Sequence, residues 1–362
     1  MNKFRFLTSG ESHGMCLNAI IEGLPSNLFI DTEFVNSELA RRQQGYGRGG
    51  RMQIETDKAM IKSGVRFGKT TGAPVCLEIE NKDWKNWQIP MSVEPQDLSD
   101  PDILEAVNAK KITRVRPGHA DFAGAIKYNH NDIRNVLERS SARETATRVA
   151  VGAVAKCLLK EFGITASSRV LQIGTAFDED AMKKQIDEAK ENGDTLGGKI
   201  EISFKNLPAG LGSFVNWDRR LDGRLAQALM SIPAVKAVEI GAGTKAAELN
   251  GSNMHDEIFY DSESKKYYRK TNNAGGIEGG MTNGEDIVLT ITMKAIPTMK
   301  KPLQSVDIDT KEAISAHFER SDTCAVEACA VVGEAMAAIV LADAFLEKFG
   351  GDSIEEIRKN YE

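Results

Sequence analysis

The sequence predicts a mixed α and β body made of a duplicated α/β unit, with two buried helices at its middle. Three features predict it: two long segments apolar round most of their circumference, several short alternating β-branched segments, and a faint repeat running in one order through both halves. The first long helix is expected over residues 141–162. It opens with a capping box of Ser141 and Glu144, in which hydroxyl and carboxylate satisfy orphan N–H groups reciprocally. Gly163 is a good residue to close it, and its Ala/Val-rich middle calls for burial on nearly every face. The second is expected over 322–349, closed by Gly350-Gly351. An amphipathic helix is expected over 31–43. Strands are expected over 74–79, 199–204 and 286–293, the last alternating in the way of a half-buried strand.

The repeat pairs GVRFGKTTGAPVCLEI from Gly64 with GIEGGMTNGEDIVLTI from Gly276. At constant offset they share Gly64/Gly276, Gly68/Gly280, Thr70/Thr282, Gly72/Gly284, Leu77/Leu289 and Ile79/Ile291. Leu24-Pro25 answers Leu207-Pro208 upstream, and Arg139-Ser140-Ser141 answers Arg320-Ser321-Asp322 downstream. Length alone would allow two or three domains. The repeat argues instead for one domain over 1–362, with halves of roughly 1–165 and 166–362. Chance likeness between Gly-rich turns is the competing account.

The formal net charge is −6, and an overall basic balance of the kind nucleic-acid binders carry is absent. Arginines cluster locally instead, which fits a pocket for a small anion. No run reaches the ~18 consecutive apolar residues of a membrane span, and the N-terminus lacks the apolar core of a signal peptide. A cytoplasmic protein with neither nucleic acid nor membrane as partner is expected. The five cysteines are scattered and form no C-x-x-C, so neither a disulfide framework nor a metal site is expected.

Two of the five histidines sit in unusual settings. His13 lies in GESHG and His119 in RPGHAD. Glycine permits tight turns and close approach to a ligand, and a free imidazole, with a pKa of about 6.5, exchanges protons near neutrality. Decoration of turns is the plain alternative. The segment from Ala40 to Arg51 packs Arg41, Arg42, Arg48 and Arg51 among four glycines, a loop able to grip carboxylate or phosphate in bidentate fashion; a flexible RNA-binding arm is its rival. Arg114 and Arg116 add charge beside His119. Arg139, Ser140, Ser141 and Arg143 stand at the start of the first predicted helix, where free N–H groups and partial positive charge seat anions, although Ser141 could serve as a cap alone. Asp322 is either the cap of the second helix or a base.

Together GESHG, RPGHAD, RSSARET, NNAGGIEGG and RSDTCAV, in this order over essentially the whole chain, resemble the chorismate synthase family. Ser321 stands where some members have histidine. The resemblance implies an α+β fold, a β-α-β sandwich with helices between antiparallel sheets, and a homotetramer. It implies a lyase of the shikimate pathway that eliminates phosphate from 5-enolpyruvylshikimate 3-phosphate, anti and 1,4, to give chorismate. It implies dependence on reduced FMN, which lends electron density and takes it back, with NADPH as a candidate source of electrons. On the same resemblance His13 protonates the departing phosphate, His119 protonates the reduced flavin, and Asp322 assists loss of the ring proton. Arg42, Arg48, Arg51, Arg114, Arg139 and Arg143 would bind the substrate's anions, or, among them, a nicotinamide nucleotide. Flavin contacts would fall at Arg139, Ser140, Ser141, Pro233, Ala234, Gly279, Lys294, Ala295, Ile296, Pro297, Thr298 and Arg320. Two rivals stand against this: an ordinary flavin oxidoreductase working by hydride transfer, and an RNA- or nucleotide-binding protein using the Arg/Gly loop.

Overall fold

Alternation of buried and open positions along the inner strands builds two antiparallel sheets in the computed structural model, which describes residues 3–49, 56–301, 303–319 and 321–362. The first contains β1 (Arg5–Ser9), β2 (Cys16–Glu22) and β3 (Ala59–Ser63). After the small hairpin of β4 (Val65–Arg66) and β5 (Lys69–Thr70) comes its fourth strand, β6 (Val75–Glu80). The second sheet contains β7 (Thr165–Ile173), β8 (Gly198–Lys205) and β9 (Val235–Ile240). Two hairpins follow, β10 (Ile258–Asp261) with β11 (Lys266–Arg269) and β12 (Ile277–Glu278) with β13 (Met281–Thr282), and then β14 (Ile287–Met293). The orders are β1-β2-β6-β3 and β7-β8-β14-β9: first, second, fourth, third in both. Each second strand passes to the third through a helix, Thr32–Gln43 in one half and Leu221–Met230 in the other.

The shared residues occupy matching places. All three paired glycines have positive φ, between 77° and 95°, which is the left-handed region open to glycine. Thr70 donates its hydroxyl to Pro25 O at 2.5 Å and accepts from Leu28 N at 2.9 Å. Thr282 donates to Pro208 O at 2.6 Å and accepts from Leu211 N at 2.8 Å. Leu77, Ile79, Leu289 and Ile291 all point into the core.

Two central helices lie between the sheets. The first is Thr145–Lys160, the second Val326–Phe349. They approach so closely at Gly152 that a Cβ there would stand 2.8 Å from Ala335 O, and Gly333 is tight against Ile202 and Ile291 of the second sheet. The second helix is long and apolar enough to cross a membrane, yet 94% of its apolar window is buried inside the protein, which makes it a core helix.

Four expectations need correction. The capping box does not form: Ser141 accepts only Arg143 N–H, at 3.3 Å, while Glu144 turns toward Arg148, one turn ahead. A 3₁₀ turn, Ala142–Glu144, precedes the helix proper. Arg139 and Ser140 end a short helix, Arg134–Ser140, rather than opening the central one. Asp322 is not a helix cap: the second helix begins at Val326 behind Ala325, which makes no side-chain cap.

Inside this layer a small ion cluster joins three helices and a strand. Lys156 Nζ lies 2.5 Å from both Glu38 and Glu334. Arg41 and Ser168 complete the bonds to Glu334. Burial pushes the Glu334 carboxyl up, but the Arg41 hydrogen bond and the Lys156 charge outweigh it and bring it from 4.5 to about 2. A depressed carboxylate contributes stability that is present above its unfolded value and fades as pH falls through the folded one. Glu334→Gln therefore flattens the loss of stability between pH 4.5 and about 2, read by denaturant titration at several pH values. Lys156→Ala, which leaves two carboxylates face to face, lowers unfolding free energy by about 3 kcal/mol or more; an unchanged midpoint would refute the cluster's role.

Candidate active site

His13 is presented by the loop between β1 and β2. Gly10 (φ 103°) makes the loop's first bend, where a Cβ would press on Leu17 Cα at 2.9 Å. Asn81 holds the loop from below, its Nδ2 donating to Ser12 O at 3.0 Å and Gly14 O at 2.9 Å. Glu138 holds it from the side. Its carboxylate accepts His13 N at 2.7 Å and faces His13 Nδ1 at 2.9 Å. The imidazole, 9% exposed, stacks on Trp87 with centroids 3.9 Å apart. With Nδ1–H given to a carboxylate, Nε2 is the working nitrogen, and it has no partner among the described residues.

Glu138 also pairs with Arg134 at 3.1 Å, and Arg134 reaches Glu319 at 3.0 Å. Burial raises Glu319, but the His317 hydrogen bond and the charges of Arg134 and Arg116 bring it down to about 2.

His119 repeats the arrangement. Its Nδ1 lies 2.5 Å from Asp121 Oδ1, and Asp121 is fully buried. Arg116 grips the same carboxylate through Nε at 2.7 Å and Nη2 at 3.0 Å, and gives Nη1 to Thr298 Oγ1 at 2.9 Å. Arg116 Nη2 also lies 3.0 Å from His119 Nδ1. A guanidinium only donates, so an Nδ1–H of His119 donates to the Asp121 carboxylate. Burial raises the Asp121 carboxyl, but the hydrogen bonds from His119 and Arg116 outweigh it and hold it well below the usual carboxylate range.

Thr298 continues the site toward Asp322. Ser321 Oγ donates to Thr298 O at 2.7 Å. Asp322 takes Gly49 N–H at 2.6 Å and Arg48 Nη1 at 2.6 Å. The Arg/Gly loop lies flat on this segment: Thr323 N donates to Gly47 O, and a Cβ on Gly49 would stand 3.0 Å from Ser321 O. The glycines serve this docking.

The remaining expected residues divide. Lys294 Nζ donates to Gly118 O at 2.5 Å, beside His119, and Lys294 N donates to Ala234 O at 2.9 Å. The 294–298 segment and Pro233–Ala234 therefore join the site. Ala234 holds φ 70°, a region in which non-glycine residues are rare and worth attention. Arg139 is exposed and donates to Thr8 O and Gly10 O, bracing the His13 loop. Arg42 and Arg143 are buried on either side of Asp57, with Arg143 Nη1 2.6 Å from it and Arg42 giving Nε to Thr145 at 3.0 Å. Arg114 is exposed, bridged through its backbone to Asp307. Gly279 stands apart. Its neighbour Gly280 bonds Leu221 N at one end of the Leu221–Met230 helix, whereas Ala234 lies beyond the other end, about 15 Å away along ten helical residues. Arg51 and Arg320 lie outside the described residues. No metal-ligating cluster occurs among the described residues.

The sequence reading missed Glu138, Arg134, Asp121, Trp87, Glu319 and Asp57. Asp121 had a visible signal, two residues beyond His119. Glu138 adjoins Arg139 within a motif already noted. Trp87 and Glu319 had none.

Comparison with known proteins agrees along the chain. A family model described as chorismate synthase matches residues 4–346. A chorismate synthase of Thermoanaerobacter pseudethanolicus is 59% identical over 358 residues, covering 99% of this chain and 97% of its own. That of Geobacter sulfurreducens is 55% identical over 390 residues, with coverage of 99% and 97%. A crystal structure of chorismate synthase superposes with a TM-score of 0.77 at 43% identity, covering 99% of this chain and 96% of that one.

Asp57→Asn leaves two buried guanidiniums without their shared anion. Breaking a buried pair costs about 3–5 kcal/mol, so the variant should unfold at clearly lower denaturant. Stability equal to the parent protein would show that Asp57 does not neutralise Arg42 and Arg143.

Proposed function

The chain belongs to the chorismate synthase family, and from that premise we propose how its residues divide the work. It is a lyase of the shikimate pathway, forming chorismate by elimination of phosphate from 5-enolpyruvylshikimate 3-phosphate. The observation that carries the proposal is the matched pair of histidines. Each has a buried carboxylate at Nδ1 and an Nε2 without a partner among the described residues, and each carboxylate is held in turn by an arginine, Arg134 behind Glu138 and Arg116 behind Asp121.

His13 delivers the proton at Nε2 to the departing phosphate, which leaves poorly as a full trianion. His119, fixed by Asp121, holds a proton at Nε2 toward the cofactor. Asp322 receives the ring proton. Both its oxygens are engaged, so this role requires Arg48 to pass from Asp322 to a substrate carboxylate. Arg48, Arg114 and Arg139, with Arg42 and Arg143 held behind them by Asp57, supply the positive field for two carboxylates and a phosphate.

Reduced FMN, when bound, supplies electron density for the C–O cleavage. The residues present fit such a phosphate-bearing group. Burial, and then the neighbouring Lys236, hold the Lys294 ammonium below the usual lysine value; two ammonium groups in repulsion are relieved by an anion between them. Arg139, Ser140, Ser141, Pro233, Ala234 and Lys294–Thr298 would hold it. Gly279, at the far end of its helix, would contribute only toward a neighbouring protomer, in keeping with a homotetramer. Arg42 and Arg48 are kept for substrate anions, with a nicotinamide nucleotide as their other candidate ligand. A cytoplasmic location suits a pathway of small phosphorylated metabolites. We also infer that the halves are duplicated copies; the matched φ angles and the Thr70 and Thr282 bonds support it over chance.

The test is an anaerobic assay with dithionite-reduced FMN, following phosphate release and chorismate absorbance together. Both should appear in equal amounts and neither with oxidised FMN; no product from folded protein would overturn the reading. His13→Ala should keep FMN binding and lose about 10²–10⁴-fold in turnover, the usual worth of a positioned acid. Asp322→Asn should also keep FMN and lose turnover. Normal turnover in either variant would remove that residue's role.

A further inference from the structure

We propose that Glu138 is the positioning residue of His13, fixing the Nδ1–H tautomer so that every proton the ring delivers leaves from Nε2. The inference rests on the proposed role of His13 toward the phosphate, and deepens it.

The geometry allows one arrangement. The two Glu138 oxygens face two donors of the same residue, the backbone N–H at 2.7 Å and ring Nδ1 at 2.9 Å. This double grip fixes the ring's direction as well as its proton. Trp87 closes one face of the imidazole at 3.9 Å, and its own Nε1–H is anchored on Asp83 at 2.9 Å. Glu138 is 2% exposed, so water does not compete for its oxygens.

The proton account balances. The imidazolium carries hydrogens on both nitrogens. As the C–O bond breaks with its electron pair on the phosphate oxygen, the Nε2 hydrogen passes to that phosphate. The ring is left neutral with Nδ1–H still on Glu138, so no bond behind the ring has to rearrange. A neutral ring held the other way round would have Nε2–H and a bare Nδ1 facing a carboxylate, two acceptors in opposition.

The charges around His13 limit how strongly Glu138 draws on it. Arg134 bonds the same carboxylate from the same short helix. Lys110 Nζ, just beyond the helix Pro101–Asn108, lies 4.4 Å from the Trp87 ring. Glu319 and His317 stand behind Arg134, Asp83 lies behind Trp87, and Glu11 shares the loop. Arg134 is the cation bonded directly to Glu138 at this point, and it offsets part of the pull on the ring proton.

Glu138→Gln tests this, because a glutamine offers one acceptor oxygen for two donors. In protein carrying ¹⁵N-histidine, with the His13 signals assigned by their loss in His13→Ala, the parent enzyme at alkaline pH should show Nδ1–H and a bare Nε2. Glu138→Gln should show a mixture of tautomers. Its kcat should fall about 100-fold with KM changed less than about threefold, within the range that positioned proton transfer supplies, and the alkaline limb of its kcat profile should move to lower pH. Glu138→Asp, which keeps both acceptors at shorter reach, should recover about tenfold of the loss and restore the tautomer. The parent tautomer retained in Glu138→Gln, or equal impairment of both variants with an unmoved pH profile, would overturn the proposal. Should Glu138→Gln not fold, an Nε2–H ring in the parent enzyme overturns it directly. The ring spectrum needs no substrate, so it is separate from the chorismate assay: a parent enzyme without product sinks the proposed function, whatever its tautomer.

Discussion

Asp57, Asp121, Glu138 and Glu334 are carboxylates with almost no access to solvent, and each is paired with arginine, lysine or histidine side chains. Placing a charge in a protein interior costs several kcal/mol unless partners and hydrogen bonds compensate it. Three of these compensations tie distant segments to one geometry, and the local one at Asp121 reaches Thr298 through Arg116. Asp57 fixes Arg42 and Arg143; Asp121 fixes Arg116 and His119; Glu138 fixes Arg134 and His13; Glu334 fixes Lys156 and Arg41. The arrangement of the candidate site follows from where the anions are buried.

The sheets and central helices supply the frame on which these pairings can be rigid. Close approach at Gly152 and Gly333 locks the helical layer to itself and to the second sheet. The ends of the frame then carry the chemistry. The His13 loop leaves β1, Ala234 precedes β9, the 294–298 segment leaves β14, and Asp322 precedes the second central helix. The aromatic hairpin β10–β11 is tied instead to the segment before Gly279, through Arg269 and Glu278.

Much of the fold was legible because burial leaves a mark on composition. Central helices surrounded on all sides read as apolar all round, and β14 read as a strand because every second residue enters the core. Boundaries were less legible. Ser141 and Glu144 satisfy a capping pattern, but Arg148 competes for Glu144 and a 3₁₀ turn intervenes. Asp322 looked like a cap because the segment from Asp322 to Ala325 is not distinguishable in composition from the helix that follows. In the site, the glycine-flanked histidines announced themselves locally, and so did the arginines. Their carboxylate partners did so only where chain neighbours coincide with spatial ones. Asp121 is two residues from His119, whereas Glu138 is 125 residues from His13 and Glu319 is 185 from Arg134. Periodicity and spacing carry no information over such separations.

The same pairing logic bears on Asp322, an anion that is partly open. Its side chain is 18% exposed and that of its partner Arg48 is 11%, so both can be reached from solvent. A guanidinium holds one carboxylate much as it holds another. On the proposed role, a substrate carboxylate arriving at Arg48 would exchange like for like, and Asp322 would keep, among the described residues, the Gly49 N–H. Buried Asp57 and Asp121 cannot act in this way, because their cations are enclosed with them. The degree of burial thus separates carboxylates closed in with their cations from one whose cation is open to exchange.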